Sequence, residues 1–290
     1  IETNTFNATS ISQRDYQTEH LSKEINLASA KLARSAVDKF KKQNPNKPVF
    51  VAGAIGPTNT TASMSPDVNN PGFRNIDFDE LTSTYLEQID SLVEGGVDLI
   101  LIETIFDTLN SKAAIYALTK YNEKNNSEIP LMLSVTITDN SGRTLSGQTL
   151  KAFWNSVRHS NPLSIGINCA FGAKQMRPYI KELSEIADCY VSCYPNAGLP
   201  NPLAPTGYDE LPVDTATLVK EFAESKFINL IGGCCGTTPA HIEKMVEFIS
   251  PLPPREISPS NDDSYLSGLE PLFIKNIETK PFLMVGERTN

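Results

Sequence analysis

Cys234 and Cys235 stand side by side in a Gly-Gly-Cys-Cys-Gly run at 232–236, and a third cysteine, Cys169, follows Asn168 at the end of another apolar run. Adjacent thiols flanked by glycine pack poorly in a core, and a disulfide between neighbours in sequence would be strained. Metal ligation suits the pair better. Three thiolates with one further position form a known layout for a catalytic zinc, which takes four tetrahedral ligands and keeps one for water or substrate. Soft sulfur disfavours magnesium and calcium. Cys189 and Cys193, placed at a helix end and in mid-strand, read as small buried hydrophobes.

Two further residues close apolar runs. Glu103 follows Leu-Ile-Leu-Ile at 99–102, where a carboxylate is expensive to bury unless it meets a cation; an amino-acid ammonium or a structural ion pair would both serve. Asn196 offers a donor and an acceptor, either to a ligand or as a loop cap. His20, His159 and His241 fall on expected helices, which points to helix-surface roles and away from the metal.

Positioning these groups requires their runs to end on one face. Seven apolar runs bounded by turn residues, at 1–6, 48–56, 98–104, 131–137, 164–170, 190–196 and 229–235, alternate with amphipathic stretches. Leu21, Ile25, Ala28, Leu32, Ala36, Val37 and Phe40 recur at helical steps, as do Leu81, Tyr85, Ile89, Leu92 and Val93. Asp77 and Glu80 start the second helix, Gly95 and Gly96 stop it, and Thr238 with Pro239 opens the last. Repeated strand-helix units make a parallel sheet, and reactive groups of an α/β barrel gather at the C-terminal ends of its strands. Those ends hold Asn4, Thr5, Glu103, Thr104, Thr136, Asn168, Cys169, Asn196, Cys234 and Cys235. The expected fold is therefore a (β/α)8 TIM barrel lacking its first strand and helix through truncation at the N-terminus. A doubly wound sheet finds less support, because no Gly-rich phosphate loop follows an early strand.

The chain has 290 residues, 40% apolar and 20% charged, with a net charge of −9. That balance excludes a basic nucleic-acid or membrane surface, and no apolar run approaches the roughly 20 residues of a bilayer span. Five cysteines without an export signal indicate reduced thiols and a cytoplasmic setting. The organisation reads as a barrel over 1–250, a Pro-, Ser-, Asn- and Asp-rich linker over 251–270, and the start of another module over 271–290, with a strand near 281–286.

Asn168-Cys169 together with the Gly-Gly-Cys-Cys-Gly run resembles the homocysteine S-methyltransferases. Gly-Ala-Ile-Gly-Pro-Thr-Asn at 53–59, Ser-Pro-Asp-Val at 65–68, Ile-Glu-Thr-Ile-Phe-Asp-Thr at 102–108 and the stretch 194–200 narrow the resemblance to the cobalamin-dependent methionine synthases. Val-Gly-Glu-Arg-Thr-Asn at 285–290 looks like the first strand of the folate-binding module that follows in those enzymes. The resemblance implies zinc on Cys169, Cys234 and Cys235, and homocysteine held by Glu103 and Asn196 with Thr104 beside them. It also implies methylcobalamin as methyl donor, recharged from 5-methyltetrahydrofolate on other modules. Two departures stand out: the family's Asp-Gly-rich opening strand is absent, and Leu203, Ala204, Pro205 and Thr206 look like an insertion beside the mouth. Two other readings stay open, a self-contained methyltransferase using betaine or S-methylmethionine and a non-catalytic zinc or thiol-binding module.

Overall fold

A computed structural model describes residues 1–204, 207–259 and 264–274. Six strands, β1 Ala52–Ile55, β2 Leu99–Ile105, β3 Leu131–Val135, β4 Ser164–Gly172, β5 Tyr190–Asn196 and β6 Leu230–Ile231, form one sheet in sequential order. Every pairing is parallel. Helices α1 Ser10–Gln13 and α2 Ser22–Gln43 precede β1. Then α3 Phe78–Glu94, α4 Thr108–Asn125, α5 Leu150–Val157, α6 Ala173–Ile186 and α7 Pro212–Glu224 fill the successive gaps, and α8 Pro239–Ile249 follows β6. This is the order of a TIM-barrel-like α/β fold. Among the described residues the sheet is not closed: β1 and β6 are its two ends.

The run at 1–6 lies beside β1 but makes only one parallel bridge, Glu2 to Ala52. Threonine hydroxyls take over the ladder beyond it. Ala54 N donates to Thr3 Oγ1 at 3.0 Å and Thr5 Oγ1 donates to Ala54 O at 2.6 Å, so side chains satisfy backbone groups that a strand would have paired.

Period-two alternation sends Ile100, Ile102, Leu133, Val135, Ile165, Ile167, Val191 and Cys193 into the core shared with the helices. The opposite face carries Glu103, Ser134, Asn168, Ser192 and Asn196. Helix α3 starts on Asp77, whose Oδ1 accepts from Glu80 N at 2.8 Å, buries Leu81, Tyr85, Ile89 and Leu92, and ends at Gly95, all as its pattern predicts.

Helix α2 is rotated from its apolar stripe. It buries Asn26, Ser29, Ala30, Ala33 and Val37, whereas Leu32 is 68% exposed. Close packing decides this: a Cβ on Gly95 would lie 2.4 Å from Ala30 Cβ, so only small residues fit where α2 meets the end of α3. Asn26 adds a buried anchor, its Nδ2 donating to Ala8 O at 2.7 Å and its Oδ1 accepting from Gln88 Nε2 at 3.1 Å.

Helix α8 begins at Thr238 and Pro239 as expected, but His241 is buried, not on the helix surface. Thr238 N donates to His241 Nδ1 at 3.2 Å, which leaves the ring proton on Nε2 to be donated to Glu210 O at 3.3 Å.

The segment read as a linker is partly anchored. Arg255 is 5% exposed, with Nε donating to Ser184 O and Nη1 to Cys189 O, both at 2.9 Å, and Nη2 donating to Ala187 O. Composition hides such a clamp because one residue carries it. Strands β7 Ser264–Ser267 and β8 Pro271–Ile274 then pair antiparallel, straddling the expected module boundary. The hairpin packs on α5 through Ser267 Oγ to Ala152 O at 2.6 Å and Thr149 N to Leu269 O at 3.0 Å. The strand expected near 281–286 lies outside the described residues. Among the described residues no helix is long and apolar enough to cross a membrane.

Truncating Arg255 strips three carbonyls at the end of α6 of their donor. Arg255→Ala should lower unfolding stability by about 2–4 kcal/mol, read as a reduced midpoint in urea.

Candidate metal centre

Two breaks in the sheet shape the site. The β4–β5 ladder runs to Asn168 opposite Tyr194 and resumes only at Gly172 opposite Asn196. Within that bulge Cys169 and Ala170 have φ of 62° and 61°, in the left-handed region. Strand alternation alone would aim Cys169 away from the mouth; the bulge turns it back. The second break, between Ile102 and Ile105 of β2, places Glu103 and gives Thr104 a φ of 53°. Non-glycine residues held there carry local strain, a feature that clusters at functional sites.

Beyond β6 the chain stays tied to β5. Gly232 N donates to Cys193 O at 3.1 Å, Cys234 N to Pro195 O at 2.9 Å, and Cys235 N to Asn196 Oδ1 at 3.1 Å. Ala197 N donates back to Cys235 O at 2.9 Å. Gly236 turns the chain with φ of 77°.

These ties bring three sulfurs together. Cys169 Sγ lies 3.8 Å from Cys235 Sγ, which lies 3.9 Å from Cys234 Sγ, and all three fall within 4.8 Å of one another. Tetrahedral ligation at a zinc–sulfur distance of roughly 2.3 Å puts sulfurs about 3.8 Å apart. The trio therefore fits a zinc ion in both spacing and donor softness. Cys169 and Cys234 are half-buried and Cys235 is exposed. Cys193 is elsewhere, buried 3.9 Å from Met176 Sδ, and Cys189 lies beyond the end of α6, not within it.

Asn168 is fully buried and joins three strands to the sulfurs. Its Oδ1 accepts from Thr104 N at 2.9 Å and Ser134 Oγ at 2.7 Å. Its Nδ2 reaches Thr104 Oγ1 at 2.7 Å, Glu103 Oε2 at 3.3 Å and Cys234 Sγ at 3.9 Å. Sequence reasoning placed Asn168 at a strand end and in a motif but missed this bridging role; the required signal, Ser134 across the sheet, is visible only with the register.

Charge in the site is negative. Among the described residues no Lys or Arg forms a salt bridge with Glu103. Burial, then the Glu2 carboxylate and the Cys169 sulfur, push its pKa up to about 8. A hydrogen bond from Cys234 pulls the Cys169 thiol down to about 6 against the opposing effect of burial, with Ala170 N–H, Cys235 and Asn196 adding to the pull. Cys234, the donor, is pushed up. Tyr208, which sequence reasoning did not select, lies with its ring on Gly236, and its pKa is raised to about 12 by desolvation first and the Cys235 thiol second. A single tyrosine outside every motif carries no spacing signal.

Residues 1–249 match the family model for homocysteine S-methyltransferase. Among solved structures, the chain is similar to the homocysteine methyltransferase MmuM from Escherichia coli in its metallated form, at 23% identity and a TM-score of 0.66 over 84% of this chain and 77% of that one. The oxidized form of the same protein matches at 21% identity and a TM-score of 0.66, over 85% and 78%. At such identities the likeness speaks to the fold.

A depressed Cys169 pKa has a measurable consequence in the metal-free, reduced protein. Thiolate is present above about pH 6 and is lost as pH falls through that value. Iodoacetamide should therefore modify Cys169 nearly as fast at pH 7 as at pH 8, with the rate halved near pH 6, whereas an ordinary thiol with a pKa near 8.5 would slow severalfold between pH 8 and 7. Peptide mass spectrometry across that range reads the profile.

Proposed function

Because the chain belongs to the homocysteine S-methyltransferase family, we propose that it carries methyl transfer to the thiol of homocysteine, giving methionine, at a zinc held by Cys169, Cys234 and Cys235. The mutual spacing of the three sulfurs carries this reading.

Zinc bound there would keep the homocysteine thiol deprotonated at neutral pH, while three thiolate ligands leave its sulfur electron-rich enough to attack a methyl group. The chain's own residues do the placing. Asn196 pins the Cys235 amide, and Asn168 holds Glu103 and Thr104 in register with Cys234. Glu103 is a buried carboxylate awaiting a cation, and the substrate ammonium supplies one. The arriving positive charge favours the ionised carboxylate, so Glu103 binds the amino-acid end without needing high pH. Thr104 extends the same contact surface.

The methyl donor we infer is methylcobalamin, recharged from 5-methyltetrahydrofolate, with both carriers on other modules of the polypeptide. The motifs at 53–59, 65–68, 102–108 and 194–200 support that choice. The same inference divides the chain into the zinc barrel at 1–250, a connection at 251–270 and the beginning of a folate module at 271–290. A reducing cytoplasm suits three free thiols. A self-contained methyltransferase using a sulfonium or betaine donor is the rival, since the family match leaves the donor open.

Zinc analysis and X-ray absorption test the site. One zinc per chain with three sulfur neighbours, rising to four with homocysteine and lost in Cys234→Ser, is expected; an unchanged sulfur count overturns thiol activation. Offered separately, methylcobalamin should yield methionine and S-methylmethionine should not, and the reverse result assigns the rival donor. Glu103→Gln should raise the KM for homocysteine roughly tenfold or more, the loss of one charge-assisted contact, at unchanged zinc content.

A further inference from the structure

In the connection between β5 and α7, residues 197–200 and 208–210 are tied together beside the thiol cluster. Glu210 N donates to Ala197 O at 3.1 Å and Leu199 N to Asp209 Oδ1 at 2.8 Å, while Tyr208 bridges Pro200 in antiparallel fashion. Ala197 is itself bonded to Cys235 O. The two limbs are thus fastened to each other and, through Ala197, to Cys235, and Tyr208 is delivered onto the next peptide. A Cβ at Gly236 would lie 2.4 Å from Tyr208 Cγ and 2.6 Å from Cδ2, so the ring packs directly on the glycine backbone. Only glycine lets it approach that closely.

The cysteines share out the surrounding polar groups. Cys234 faces Asn168 Nδ2 at 3.9 Å, and Asn196 Oδ1 takes up the Cys235 amide at 3.1 Å. Cys235, the exposed one, is followed directly by the glycine on which the Tyr208 ring lies. A dication with three thiolates carries a net charge of −1, and a fourth thiolate makes it −2. Hydrogen bonds to the sulfurs are the means by which a protein spreads that charge, and such outer contacts tune a metal site nearly as much as its ligands do.

Resting on the zinc reading above, we propose that Tyr208 is a positioning residue whose hydroxyl donates to the Cys235 thiolate, drawing charge from that sulfur and holding it on the metal. The ring's packing on Gly236 and the ties of its neighbours Asp209 and Glu210 to Leu199 and Ala197 hold the tyrosine beside that cysteine.

Tyr208→Phe keeps the ring on Gly236 and removes only the donor. In the cobalt(II)-substituted protein, losing a hydrogen bond raises the energy of the thiolate lone pairs, so the sulfur-to-cobalt charge-transfer band of the variant should move to longer wavelength. Zinc affinity, measured by competition with a chromophoric chelator, should weaken about tenfold. The melting temperature of the metal-free protein should stay the same. A band that does not move, with unchanged zinc affinity, overturns the proposal and leaves the ring as packing alone. Absence of any thiolate–cobalt band in the unaltered protein overturns the zinc reading, and this proposal with it.

Discussion

The Asn168 amide locks three neighbouring strands into one register. A buried primary amide must place two donors and two acceptor lone pairs, and in a low-dielectric interior each unmet group is costly. Here the acceptor takes a backbone N–H from the bulge of β2 and a hydroxyl from β3, and the donors face Thr104, Glu103 and Cys234. Satisfying all of them is compatible with one register of β2, β3 and β4. The left-handed residues Thr104, Cys169 and Ala170 all lie within or beside this network, so the backbone strain sits where side-chain bonding can hold it.

Around that amide the site gathers groups that repel one another. The Glu2 carboxylate and the Cys169 sulfur both disfavour charge on Glu103, which lacks a basic partner among the described residues. An arrangement of this kind is complementary to cations. It suits a metal dication at the sulfurs and an ammonium at the carboxylate, two positive charges at opposite ends of a small thiol-bearing amino acid.

Much of this was legible in the chain. Parallel strands buried on both faces read as apolar runs, and five of the seven runs place a strand within a few residues of its observed bounds. The run at 1–6 became a single bridge because Thr3 and Thr5 satisfy β1 with hydroxyls. The two-residue β6 is shorter than its run because glycines take over after Ile231. Spacing also pointed to Cys234 and Cys235, and the strand-end rule to Cys169. The α2 stripe misled because periodicity counts large apolar residues, whereas the close approach of Ala30 to Gly95 selected the small ones. Arg255, Asn168 and Tyr208 share another reason for being missed. Each acts through partners far away in sequence, and their meaning is a matter of topology.

The thiols also differ in how they are joined by the chain. Cys234 and Cys235 are neighbours, but Cys169 is separated from Cys235 by 66 positions, with all of α6, β5 and α7 between them. An ion gripped by all three would be a cross-link that closes this long loop across β5 and staples β4 to the end of β6. For a covalent bridge of similar span, loop-closure entropy alone is worth about 4 kcal/mol. Loading a metal would in that sense stabilise the strand wall, and the edge strand β6, two residues long, is the part with most to gain from it.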